Sequence, residues 1–282
     1  MENNKLLELQ KIATDIRLGA VTAVYNAKSG HPGGALSSAD ILACLYFNEL
    51  NIDVNNPKWE GRDRFVLSKG HSCPGLYAAL ALKGFFPLAE LESFRHTGAL
   101  LQGHPDMKAI SGVDMSAGSL GQGFSCACGM ALAGKLDNKD YRVYALVGDG
   151  ESQEGQVWEA IMFSAHYNLD NLCLIIDNNG LQIDGRVEDV MNVMPYEPKL
   201  EAFGWNVITI DGHNIEEILG ALKTAKKTKG KPTAIIAKTI KGKGVSFMEN
   251  QASWHGKAPN EEQYNQAISE LTAYKKSLGG NE

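Results

Sequence analysis

Apolar residues recur at helical spacing near the start of the chain. Leu6, Leu9, Ile12, Ile16, Ala20 and Val24 form one stripe between Lys5 and Val24. Ser37 stands where it can cap a second helix, with Asp40 at the third position beyond it. A short strand is predicted over 64–67, a helix over 75–82, and a buried, glycine- and alanine-rich helix over 120–136. Strand 142–147, helix 153–167 and strand 172–176 follow. Strand 205–210, helix 215–226, strand 233–238 and a polar helix over 261–276 complete the pattern. Strands alternating with helices predict an α/β fold: a doubly wound, mainly parallel sheet with helices on both faces. No linker divides the chain, so 1–282 reads as a single domain. Segments 184–198 and 240–259 read as long connections rich in turn residues, a kind of loop that is more often functional than neutral.

The predicted strands 142–147 and 172–176 end in chemistry. The first runs into Gly148-Asp149-Gly150 and the second into Asp177-Asn178-Asn179. Asp149 and Asn179 are thirty positions apart, about one βαβ unit, so both should emerge at the carboxyl edge of a parallel sheet. A carboxylate, an amide and a nearby backbone carbonyl suit a hard divalent cation. Glycines let the backbone approach a diphosphate closely. Together these features point to a metal-bound diphosphate cofactor.

Bulk properties remove other classes. Among 282 residues, 44% are hydrophobic, enough for a full core, and the net charge is −6, which argues against a nucleic-acid or anionic-membrane surface. The basic run Lys223 to Lys231 reads as a solvated helix end and loop. No secretory signal is visible, and no apolar run approaches the roughly 18 residues of a membrane span. Five cysteines, Cys44, Cys73, Cys126, Cys128 and Cys173, lack a second Cys/His pair at zinc spacing, which favours packing roles and a reduced, cytoplasmic protein.

Gly148-Asp149-Gly150 followed by Asn178-Asn179 resembles the thiamine diphosphate motif. Ser29-Gly30-His31-Pro32-Gly33-Gly34, Ser68-Lys69-Gly70-His71, Gly103-His104-Pro105, Gly118 to Gly123 and Trp254-His255-Gly256 resemble the amino-terminal domain of transketolase, in order and over nearly the whole chain. The resemblance implies Asp149, Asn179 and the Leu181 carbonyl as ligands of Mg2+, Ca2+ or Mn2+. It implies Gly150, Gly118, Leu120, Ile183 and Asn179 beside thiamine diphosphate, with His71 near its diphosphate. His31, His104 and His255 are implied as the catalytic set around sugar hydroxyls and an oxyanion. Of five histidines that draw notice, only His213 falls outside the matched segments.

Glu154 and Glu159 carry two readings, helix surface or subunit interface beside the cofactor, and the resemblance implies the second. It also implies a carboxy-terminal partner subunit with the pyrimidine-binding domain, which this chain lacks, in an assembly with two copies of each subunit. The implied reaction is two-carbon ketol transfer between sugar phosphates. Alternatives are a subunit like 1-deoxyxylulose-5-phosphate synthase, a transketolase for a specialised sugar phosphate, a 2-oxoacid dehydrogenase alpha chain, a noncatalytic cofactor-binding subunit, and a metal-dependent phosphohydrolase.

Overall fold

The computed structural model describes residues 2–279. Its main sheet has five strands, all parallel: β1 (Arg64–Leu67), β2 (Val143–Gly148), β3 (Leu172–Asn178), and the later β6 (Asn206–Asp211) and β7 (Thr233–Lys238), in the order β1-β2-β3-β7-β6. Between β3 and β6 lies a small antiparallel pair, β4 (Leu181–Gln182) and β5 (Gly185–Arg186). The helices are α1 (Glu2–Ala27), α2 (Pro32–Ser37), α3 (Ala39–Cys44), α4 (Cys73–Lys83), α5 (Gln122–Leu136), α6 (Gly155–His166), α7 (Val187–Val190), α8 (Glu197–Ala202), α9 (Ile215–Lys227) and α10 (Glu261–Ser277).

Strand alternation sorts the core into two layers. Phe65, Tyr144, Leu146, Ile175 and Ile235 face a layer built by α1, α3, α4 and α9. Val66, Ala145, Val147, Leu174 and Ile236 face α5, α6 and α8. The central strands are apolar on both faces because helices cover both. This is the doubly wound sheet the sequence predicts. Cys128 packs inside the second layer and Cys126 is half-buried on the same helix; the five cysteines form no disulfide. The basic run ends α9 and continues into a loop, as expected. Among the described residues no helix is long and apolar enough to cross a membrane.

Three expectations are corrected. Ser37 does not cap a helix: it closes α2, and its hydroxyl donates to Asp177 at 2.7 Å, because the deeply buried carboxylate outcompetes a helix end for that donor. Glu154 lies one residue before α6, at its N-cap, after a tight turn over Glu151–Gln153. Segment 184–198 is not a bare loop; it contains β5, α7 and the start of α8. The 240–259 segment is a strap folded over α1 and α10, held by Val245, Met248 and Trp254 in a third apolar cluster with Val21, Leu36 and Leu271.

Candidate functional site

The carboxyl ends of β1, β2, β3 and β7 open into one cavity of about 360 Å3. It is lined by His31, His71, Gly118, Leu120, Asp149, Gly150, Glu154, Asn179, Leu181, Ile183 and His255, segments scattered over more than 220 positions of sequence. Each strand delivers its residue where its ladder stops. Asp149 follows β2 directly and Asn179 follows β3 directly. Gly150 has no room for a side chain, since a Cβ there would stand 2.9 Å from that of Gln182. Of the proposed set only His104 is absent from the lining. It is exposed on the rim, with its ring about 3.5 Å from where a Gly118 Cβ would stand.

The floor holds three buried carboxylates in different states. Asp177 is fully buried, which pushes its carboxyl up, but the Lys69 ammonium at 2.6 Å outweighs burial and holds it below its ordinary value. Lys69 also donates to the Gly34 carbonyl at 2.8 Å, and Thr239 and Asn179 donate to Asp177. Breaking such a buried pair by removing one partner costs about 3–5 kcal/mol. Glu151 accepts from Ser68 and from the Gly121 and Gly148 amides, and burial raises it. Asp149 is 1% exposed and, among the described residues, has no cationic side chain within ion-pair distance. Burial and then the charge of Asp177 push it up to about 6, although the amides of Gly180 and Gly150 donate to it.

A buried carboxylate without a cation is the observation that tests the metal reading. Asn179 Oδ1 accepts from the Leu181 amide at 3.1 Å and keeps a free lone pair. The Leu181 carbonyl receives the Lys241 ammonium, at 3.4 Å. One carboxylate and two neutral oxygens fit a hard divalent cation that shares its charge with a diphosphate. Among the described residues no group of three or more His, Cys, Asp or Glu is placed to hold a metal, so a cation here relies on neutral oxygens.

Three imidazoles pack above this floor. Ring centroids lie 5.1 Å apart for His31 and His71, 5.5 Å for His31 and His255, and 5.0 Å for the stacked pair His71 and His255. Burial, helped by Arg95, His104 and Lys241, lowers His31 to about 4. Burial and Lys241 lower His255 to about 3, and burial with His255 drives His71 well below its ordinary value. All three are neutral at pH 7, so each can donate one hydrogen bond and accept one. Burial lowers His104 too.

Sequence reasoning gave no role to the cations that organise this site. Lys241 is 2% exposed and stands between the two halves of the cavity, 3.0 Å from His255 Nδ1 and 3.4 Å from the Leu181 carbonyl. Burial lowers it to about 8 against the opposing pull of Asp149 and Asp177. Arg95 reaches His31 Nδ1 at 3.5 Å and the Ser29 hydroxyl at 2.7 Å. Lys69 sits inside a motif, and the motif was its only signal. Trp158 packs on Phe203 and donates to the Ser152 carbonyl, a structural role.

Comparison with known proteins gives the family and the fold. Residues 9–277 match the family described as transketolase, thiamine diphosphate binding domain. The chain is 48% identical over 265 residues to a 6-deoxy-6-sulfo-D-fructose transketolase subunit of Clostridium sp. (strain MSTE9), covering 94% of this chain and 96% of that protein. It is 43% identical over 266 residues to an apulose-4-phosphate transketolase subunit of Phocaeicola vulgatus, covering 94% of each. Against human transketolase it is 44% identical, with 96% of this chain covering 43% of that protein. The crystal structure of Campylobacter jejuni transketolase superposes with a TM-score of 0.88 at 36% identity, over 96% of this chain and 45% of that one. The chain thus spans nearly the full length of the two subunit relatives and under half of the human and Campylobacter jejuni transketolases. Sequence family and fold agree, and the chain belongs to the transketolase family as its thiamine diphosphate-binding domain.

Proposed function

We propose that this chain is the amino-terminal subunit of a two-subunit transketolase that moves a two-carbon ketol unit from a ketose phosphate to an aldose phosphate. One observation carries the reading: Lys241 touches both His255 and the Leu181 carbonyl, so the neutral histidine cluster and the metal-type oxygens share one cavity. Bound thiamine diphosphate supplies the nucleophilic carbon and the electron sink that such transfer requires. Asp149, Asn179 and the Leu181 carbonyl hold a divalent cation, with Mg2+ the natural choice for a site that shares phosphate oxygens. Lys241, His71 and the Gly150 backbone receive the diphosphate, while Gly118, Leu120 and Ile183 line the path of the rings. His31, His104 and His255 orient sugar hydroxyls and hold or pass a proton. Five unbridged cysteines suit a cytoplasmic location.

The partner is inferred from the two subunit relatives, matched nearly end to end, and from the exposed cavity rim, where Ile183 is 63% exposed and Glu154 is also exposed. We place Glu154 at that interface and Glu159, on the exposed side of α6, beside it, in an assembly with two copies of each subunit. The direct test is product analysis after mixing the chain and its partner with thiamine diphosphate, Mg2+, a ketose phosphate and an aldose phosphate. Lack of two-carbon transfer by the pair would falsify the reading.

Two consequences are measurable. A proton competes with the cation for Asp149, so cofactor affinity should fall as pH drops below about 6, approaching tenfold per unit. Free-protein stability should move the other way. Asp149 has a folded value above its ordinary one, so it gains a proton on folding and its contribution rises as pH falls from 6 toward 4. Calorimetric titration from pH 5 to 7.5 separates this from the histidines, and an affinity flat across that range removes Asp149 from the site. His104→Ala should lower kcat/KM about tenfold to a hundredfold while cofactor affinity stays within about threefold, because His104 is on the rim. Loss of cofactor binding with normal turnover at saturation would reverse that assignment.

A further inference from the structure

His213 lies outside every matched motif and outside the cavity, yet it touches the strap that carries Lys241 and His255. Its Nδ1 lies 2.7 Å from Asp40 Oδ2, and its Nε2 accepts the Ile240 amide at 2.8 Å. A backbone N–H can only donate, so Nε2 bears the lone pair and Nδ1 the proton. That tautomer is held from behind. Burial pushes Asp40 up, but Arg17 and His213 together keep it below its ordinary value. Arg17 pairs with both Asp40 oxygens and donates through Nε to the Leu36 carbonyl at 3.2 Å. The His213 amide is itself anchored on Asp211 at 2.8 Å.

Ile240 sits between two residues committed to the site. Thr239 bonds Asp177, and Lys241 spans His255 and Leu181. Two further bonds pin the strap, from the Gly242 amide to the Gly33 carbonyl at 3.0 Å and from the Asn250 amide to the Lys241 carbonyl at 3.0 Å. Among these anchors His213 stands apart from the cofactor cavity, and it reaches back through Asp40 and Arg17 to α3 and α1.

We propose that His213, oriented by Asp40, is a positioning residue: it fixes Ile240 so that Lys241 stands against His255 and the Leu181 carbonyl. The cofactor consequence rests on the function proposed above. The tether itself does not.

Two substitutions separate the two bonds of the ring. His213→Asn keeps a donor near Nδ1 for Asp40 but is too short to reach Ile240. His213→Gln places an acceptor near Nε2 for Ile240 and gives up the bond to Asp40. Amide exchange over 239–256 and titration with thiamine diphosphate and Mg2+ are measured on the full chain with its partner subunit. His213→Asn should speed exchange at Ile240 and its neighbours and weaken cofactor binding, each by roughly threefold to tenfold, the scale of one hydrogen bond. His213→Gln should return both to within about twofold of the unsubstituted protein. A purely structural role would instead make the two variants alike. The proposal is overturned if His213→Asn matches the unsubstituted protein in exchange, if the strap loosens with no change in affinity, or if Gln does no better than Asn. Should the unsubstituted complex bind no thiamine diphosphate, the cofactor reading falls, and exchange over 239–256 alone decides the tether.

Discussion

Asp149→Ala is expected to remove metal-dependent binding of thiamine diphosphate, with a loss in affinity above about a hundredfold. Substitutions of groups that merely support a metal ligand cost about 10- to 100-fold, and Asp149 is the one charged ligand in the proposed set. Asn179 and the Leu181 carbonyl supply geometry and no charge, so they cannot hold the cation against water by themselves. The same residue is a liability to the free fold, since it is buried beside Asp177 without a cation of its own. Asp149→Asn should therefore lose the cofactor while its thermal midpoint stays within about 3 °C, the shift expected for roughly 1 kcal/mol in a chain of this size. Calorimetry with thiamine diphosphate and Mg2+ checks the first statement and thermal melting the second. Unchanged affinity in Asp149→Ala would mean that the cation sits elsewhere.

The second large effect concerns the partner. The purified chain alone should show no ketol transfer, even with excess cofactor and metal, and adding the partner subunit should restore it. The cavity floor and histidine cluster are in place, but one wall is open at Ile183, Glu154 and Gly118. Water has free access there, which weakens every electrostatic interaction that a closed site would use. Steady turnover by a preparation verified to contain this chain alone would remove the two-subunit reading.

The folding pattern is legible where burial is simple. Strand β7 matches its sequence pattern to the residue, because Thr233–Lys238 is apolar on both faces and flanked by turn residues. Strands β2 and β3 match to within two residues. Their ends give Asp149 and Asn179, since a residue just beyond a parallel strand must emerge at the carboxyl edge. The rim and strap are less legible. Ser37 carries a capping signal but turns to Asp177, a competitor 140 positions away that no local rule contains.

What the sequence by itself determined is therefore the layered sheet, the placement of Asp149 and Asn179 just beyond two strand ends and, through its motifs, the family. Tertiary structure decided how charge is distributed in the site. Lys69 and Lys241 lie 172 positions apart in the chain and bracket the same pair of carboxylates, with Lys69 paired to Asp177 and Lys241 left against neutral groups. Charge pairing depends on distance and burial, which for Lys69 arise when β1 and β3 join one sheet and for Lys241 when the strap folds over α1 and α10. The neutral state of the histidines has the same origin: an isolated imidazole titrates near neutrality, and burial first, then the charges packed around the three rings, lower them.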